Sequence, residues 1–115
     1  MGTTIEDQQL DALFTALSDR TRRDIVARLS TGEATVKELA EPYAMSMQAV
    51  SQHIRVLERS GLISQGRHRQ TRPCRLEPAA LKAASSWIEE SRRTWSERMD
   101  RLETHLAHVQ ERENQ

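Results

Sequence analysis

The chain has 115 residues, 37% of them hydrophobic and 30% charged, with 17 basic side chains against 17 acidic ones. This composition is globular and excludes a disordered polyelectrolyte, and no apolar run approaches the roughly eighteen residues of a membrane span, so one soluble domain over 1–115 is expected. Cys74 is alone, which excludes an intrachain disulfide, and with four scattered histidines it leaves no four-ligand zinc set within one chain.

The opening MGTTIEDQQ is polar and acidic and lacks the basic and apolar segments of a secretory signal, so the expected compartment is the cytoplasm. Net charge is zero, but the charges are not evenly spread. Residues 1–19 carry four acids and no base, whereas residues 51–76 carry six arginines against one acid. A local patch, and not the total, sets the field that a phosphate meets.

Residues 5–17, IEDQQLDALFTAL, place Leu10, Leu13, Phe14 and Leu17 at helical spacing behind an acidic first turn that suits the helix dipole. Ser18 or Asp19 then caps a second helix, RTRRDIVARLS, whose Ile25, Val26 and Leu29 face inward and whose Arg20, Arg22 and Arg23 crowd its first turns. Gly32 ends it. Thr35 and Glu38 in TVKE form a capping box for a short third helix with Val36, Leu39 and Ala40 inward, and Pro42 limits its length.

After a turn at 43–45 comes SMQAVSQHIRVLERSG, residues 46–61, the stretch most informative about function. Val50, His53/Ile54 and Leu57 recur at i, i+3/i+4, i+7 and form an inward stripe. Gln48, Ser51, Gln52, Arg55 and Arg59 fall on the other side, all amide, hydroxyl and guanidinium. Ser46 is the N-cap, and Gly61 suits the left-handed position past the C-terminus. Gln and Arg carry paired donors and acceptors that match adenine and guanine edges in the major groove, although a solvated polar face is the commoner use of such residues. Two short helices joined by a tight turn, the second polar outside, are the ingredients of a helix-turn-helix.

Beyond Gly61, a strand is expected at 62–64 and a return strand at 74–76, with Pro73 at the edge or start of the latter. The turn between them bears Arg67, His68, Arg69 and Arg72, a basic hairpin suited to gripping phosphates. From 78 or 79 to about 112 the chain reads as helix, with Leu81, Ile88, Trp95, Leu102 and Val109 seven residues apart and Met99 and Leu106 in support. Unbroken, that seam runs about 50 Å, more than a domain of this size covers alone, which implies a second copy as partner. A break near 91–94 is one alternative; packing of the first half, around Trp87 and Ile88, on its own domain is another. The fold class is therefore mainly α with a small β-hairpin, a helix-turn-helix over 19–60 and a hairpin at 62–76 followed by a long dimerisation helix.

ALSDRTRRDIVARL and AVSQHIRVLERSGLI resemble the opening and recognition-helix motifs of the bacterial ArsR/SmtB-type winged helix-turn-helix repressors, covering 12–76. WIEESRRTWSERMDRLETHL is similar to the dimer helix of one branch of that family. The resemblance implies a homodimer paired through first and last helices, with contacts at Leu10, Leu13, Phe14, Trp95, Met99, Leu102, Leu106 and Val109. It also implies an inverted-repeat double-stranded DNA operator and repression of transcription. Base contacts are then expected at Gln48, Ser51, Gln52 and Arg55, and phosphate contacts at Arg22, Arg23, Ser46, His53, Arg67, Arg69 and Arg72.

The family's metal-thiolate site puts Cys-x-Cys in the third helix, and VKELAEPY has no cysteine. Its other common site pairs Asp-x-His with His-x-x-Glu eleven residues on. Here His108 and Glu111 fit the second half, but Trp95 and Glu97 stand at the first. No metal or other cofactor is expected, with His105, His108 and Glu111 the remaining candidates for an intersubunit site, and the sequence names no inducer. Cys74 is expected to be a packed structural thiol. An enzyme finds no support, since no nucleophile–base set or glycine-rich phosphate loop is present. A protein–protein module on the same scaffold, without DNA, is the alternative function.

Overall fold

The structure, a computed structural model, describes residues 5–66 and 72–114. Its elements run α1 (Ile5–Ala16), α2 (Arg20–Leu29), β1 (Ala34–Thr35), α3 (Val36–Ala40), α4 (Met47–Arg59), β2 (Ile63–Gln65), β3 (Pro73–Leu76) and α5 (Pro78–Glu113). The chain divides into two compact units, one ending at Ala84 and one beginning at Ser85.

The first unit is built on the inward stripes. Leu13 of α1, Ile25 of α2, Leu39 of α3, and Val50 and Leu57 of α4 are all fully buried, and Leu62, Ile63 and Cys74 close the core from the sheet side. Ala80 and Ala84, one turn apart, bring the start of α5 into the same core. Leu13, expected among the dimer contacts, has no exposed surface in the single chain.

Helix ends follow the local chemistry of their sequences. Asp19 caps α2 by accepting from the Arg22 amide, and Ser46 caps α4 by accepting from Ala49 N at 3.1 Å. Thr35 and Glu38 satisfy each other's backbone amides in the expected capping box. At the far end of α4 the Gly61 amide reaches Glu58 O and the Leu62 amide reaches Leu57 O, the paired bonds of a Schellman motif. Gly61 has φ +86°, a conformation that costs a side-chain-bearing residue and costs glycine little.

The sheet is larger than the hairpin expected. β2 and β3 pair antiparallel with Ile63 opposite Leu76 and Gln65 opposite Cys74, and β1 adds a third strand on the other side of β3, Ala34 opposite Cys74. The order is β1-β3-β2, which makes β3 central. Two residues are too short to display any alternation, and Thr35 is legible only as a cap, so β1 leaves no periodic trace. Pro73 stands at the first position of β3, as expected, and its carbonyl accepts from Gly66 N at 2.9 Å.

In the second unit, every described residue from Ser85 onward is exposed or half-exposed. Residues 91–94 are helical, so the break considered there does not occur; Thr94 Oγ1 donates back to Glu90 O at 3.1 Å within the helix. Trp87 and Ile88, considered as core residues, are about half exposed at 49% and 51%. The architecture is mainly helical with a small antiparallel sheet, and it carries the winged helix-turn-helix arrangement with a long C-terminal helix.

Candidate nucleic-acid interface

α4 separates its two faces as its spacing requires. Val50, Ile54 and Leu57 are buried, while Gln48, Gln52, Arg55 and Arg59 are exposed and Ser51 is half-buried at the margin. Among the described residues, no hydrogen bond or ion pair engages the side chains of Gln48, Gln52, Arg55 or Arg59. Each therefore keeps its full donor or acceptor set for an outside partner. Ser46 differs: its hydroxyl oxygen is taken up by the Ala49 amide, which makes it a helix cap first.

Within α2, Arg22, Arg23 and Arg28 donate to backbone carbonyls near helix ends, whereas Arg20 is exposed and makes no such bond among the described residues. Arg22 donates from Nε to Ala16 O at 2.7 Å and from NH2 to Thr15 O at 3.1 Å, while NH1 lies 3.2 Å from His53 Nδ1. Its guanidinium thus caps the last carbonyls of α1, where the helix dipole is negative, and touches α4 from behind. Three of its five N–H donors are engaged within the fold, so Arg22, expected at a phosphate, also has a structural task. Arg23 donates to Leu17 O at 2.9 Å but remains exposed, with part of its fork unengaged. Arg28 repeats the device on α3, donating to Leu39 O at 2.9 Å and Glu38 O at 3.1 Å, and its guanidinium lies 5.8 Å from the centre of the Tyr43 ring. The Tyr43 hydroxyl in turn donates to Asp24.

His53 is half-buried, its side chain 22% exposed, as its place between the two faces of α4 leads one to expect. Two neighbours compete for Nδ1: Arg22 NH1 at 3.2 Å, and the Asp19 carboxylate at 3.8 Å. Arginine is always protonated and only donates, so the shorter contact makes Nδ1 the acceptor and puts the proton of the neutral ring on Nε2. Asp19 is held below the ordinary carboxylate range, first by the Arg22 backbone amide that it caps, with smaller help from the charge of Arg22 and against the cost of burial. Asp19, Arg22 and His53 thereby join the end of α1, the start of α2 and the inner edge of α4.

Of the hairpin's basic residues, Arg72 is exposed and, among the described residues, unengaged. Arg67, His68 and Arg69 lie outside the described residues. Arg75, which the sequence did not single out, is exposed on β3 with its Nε 3.7 Å from Glu77 Oε1. Cys74 is fully buried, and burial, helped by the charge of Glu58, pushes its thiol up to about 11, so it packs as a small hydrophobe.

The apolar seam of α5 is exposed at Trp95 (63%), Leu102 (47%) and Leu106 (52%), with Met99 and Val109 half-buried. On α1, Leu10 and Phe14 are half-buried and pack against the core. His108 Nδ1 and Glu111 Oε2 stand 3.9 Å apart as an exposed pair, and among the described residues no three His, Cys, Asp or Glu side chains converge as a metal site would require. No helix among the described residues is long and apolar enough to cross a membrane.

Residues 17–65 match the family described as a helix-turn-helix domain. The chain is 41% identical over 73 residues to the HTH-type transcriptional regulator Rv2034 of Mycobacterium tuberculosis, covering 64% of this chain and 68% of that protein. It is 30% identical over 79 residues to the transcriptional repressor SdpR of Bacillus subtilis, covering 69% of this chain and 88% of that one. Among solved structures, the ArsR family transcriptional regulator RHA00566 superposes with a TM-score of 0.74 at 38% identity, covering 84% of this chain and 97% of its own.

Proposed function

Since the chain belongs to the ArsR/SmtB-type winged helix-turn-helix transcriptional regulators, and is thereby a DNA-binding regulator, we propose that it is a homodimeric repressor that recognises an inverted-repeat operator. The observation that carries this reading is the outer face of α4, where Gln48, Gln52, Arg55 and Arg59 are exposed and, among the described residues, unengaged. Gln48, Ser51, Gln52 and Arg55 read base edges. Arg23, Arg72 and His53 meet phosphates, joined by Arg67 and Arg69 of the wing.

A twofold axis through paired α5 seams sets two such faces into successive major grooves, roughly 34 Å apart. Trp95, Leu102 and Leu106 supply the exposed apolar surface for that pairing, with Met99 and Val109 beside them and Leu10 and Phe14 contributing from α1. A repressor named among the relatives, SdpR, supports the direction of regulation.

The test is selection of bound sequences from a random duplex library, followed by affinity measurements on the selected duplex and on a scrambled one, with sedimentation equilibrium to establish the dimer. Gln52→Ala is expected to reduce discrimination between the two by about 1–3 kcal/mol per half-site, because one bidentate base contact is lost in each. Arg72→Ala is expected to weaken both alike and to flatten the salt dependence. Equal loss on both duplexes for Gln52→Ala removes its assigned role. Absence of any salt-sensitive binding favours the protein–protein module instead.

A further inference from the structure

Among the described residues of the first unit, the exposed large apolar side chains are Met45 and Met47, at 37% and 50%, and they flank the Ser46 cap at the entrance to α4. Neither belongs to the set of apolar side chains packed against the core, so the fold itself gives them no task. Met47 is the first residue of α4, one turn ahead of Ser51 and next to Gln48, which makes it continuous with the face assigned to base contacts.

We propose that Met47 is a specificity-determining residue that packs against the C5-methyl group of a thymine in each half-site. The inference rests on the reading of α4 as the recognition helix and adds an apolar contact to its polar ones. In helix-turn-helix proteins the N-terminal residues of that helix approach the base edges. On the major-groove edges of the bases the thymine methyl is the apolar feature, so a half-exposed apolar side chain at that position has one complementary partner there. Methionine suits the role, because its unbranched, polarisable thioether adapts to a small convex group.

The experiment uses the full chain and the duplex selected from the random library, with each thymine replaced in turn by deoxyuridine, which removes the methyl and nothing else. The wild-type protein is expected to lose about fourfold in affinity at one position per half-site, the effect of uncovering one methyl-sized apolar group. Met47→Ala, an exposed substitution by the best helix former, is expected to bind the thymine and deoxyuridine duplexes equally at that position. Its circular-dichroism melt establishes that it folds.

The inference is overturned if no deoxyuridine weakens wild-type binding, or if Met47→Ala keeps the full deoxyuridine penalty, which assigns the methyl to another side chain. It also falls if Met47→Ala changes self-association while leaving the penalty intact, since the methionines then form a protein contact. Selection that yields no preferred duplex is a different failure, of the recognition-helix reading itself, and it takes this inference with it.

Discussion

Replacing Arg22 by alanine separates the two uses of arginine most sharply. The substitution removes two charged hydrogen bonds to the terminal carbonyls of α1 and one contact to His53 Nδ1. Hydrogen bonds from a charged group contribute about 1.5–3 kcal/mol each when shielded. The Thr15 end is exposed, and water can replace the lost donor there, so the net loss of stability is about 2 kcal/mol. For a chain of this length that lowers Tm by about 8 °C at fixed protomer concentration. Urea and thermal unfolding measure the loss, and duplex affinities across a salt series measure the phosphate contribution. If Arg22 is structural, the slope of log affinity against log salt stays at the wild-type value, whereas loss of one phosphate contact in each half-site lowers it by about 1.8. Arg22→Lys sharpens the test, because one ammonium cannot span two carbonyls and an imidazole as the planar fork does, so lysine is expected to restore little of the stability. A wild-type melt with a reduced salt slope for Arg22→Ala, or full rescue by lysine, refutes the assignment.

Acid should reveal the Asp19 charge. A carboxyl whose folded pKa lies below its unfolded value stabilises the native state above the unfolded pKa, near 4, and that contribution is lost as pH falls through the lowered folded value. Asp19→Asn keeps a capping acceptor without the charge, so it should be less stable than wild type at neutral pH, with the gap closing below about pH 4. Urea midpoints measured from neutral pH down to about 3 decide it, and a gap that stays constant excludes the charge as its source. Cys74 should react with an aromatic disulfide at about pH 8 at least a hundredfold more slowly in the native protein than in urea, given its burial and a thiol pushed up to about 11. Rapid native labelling would place the thiol at the surface.

The stripe Val50, Ile54 and Leu57, the caps at Thr35 and Ser46, and the glycine at 61 were legible in the sequence, which left the cap of α2 between Ser18 and Asp19. Each depends on partners within about four residues along the chain, and local spacing records such partners directly. The outer face of α4 was legible for the same reason, since whatever is not on the buried stripe is left outside. The seam of α5 was likewise visible as a period, although periodicity alone could not tell whether Trp87 and Ile88 were covered by their own chain.

What only the tertiary structure decided is which of the polar groups remain available. Carbonyl oxygens at a helix end and phosphate oxygens ask the same thing of a guanidinium, so the run Arg20-Thr21-Arg22-Arg23 reads identically for either use. The choice depends on contacts 6, 7 and 31 residues away, to Ala16, Thr15 and His53. The strand at Ala34–Thr35 was hidden in the same way, because its identity comes from pairing with Pro73 and Cys74 and not from any pattern of its own. Local order was written in the sequence because its interactions are short in sequence; the free and the spent arginines were not, because three-dimensional neighbours at long separation distinguish them.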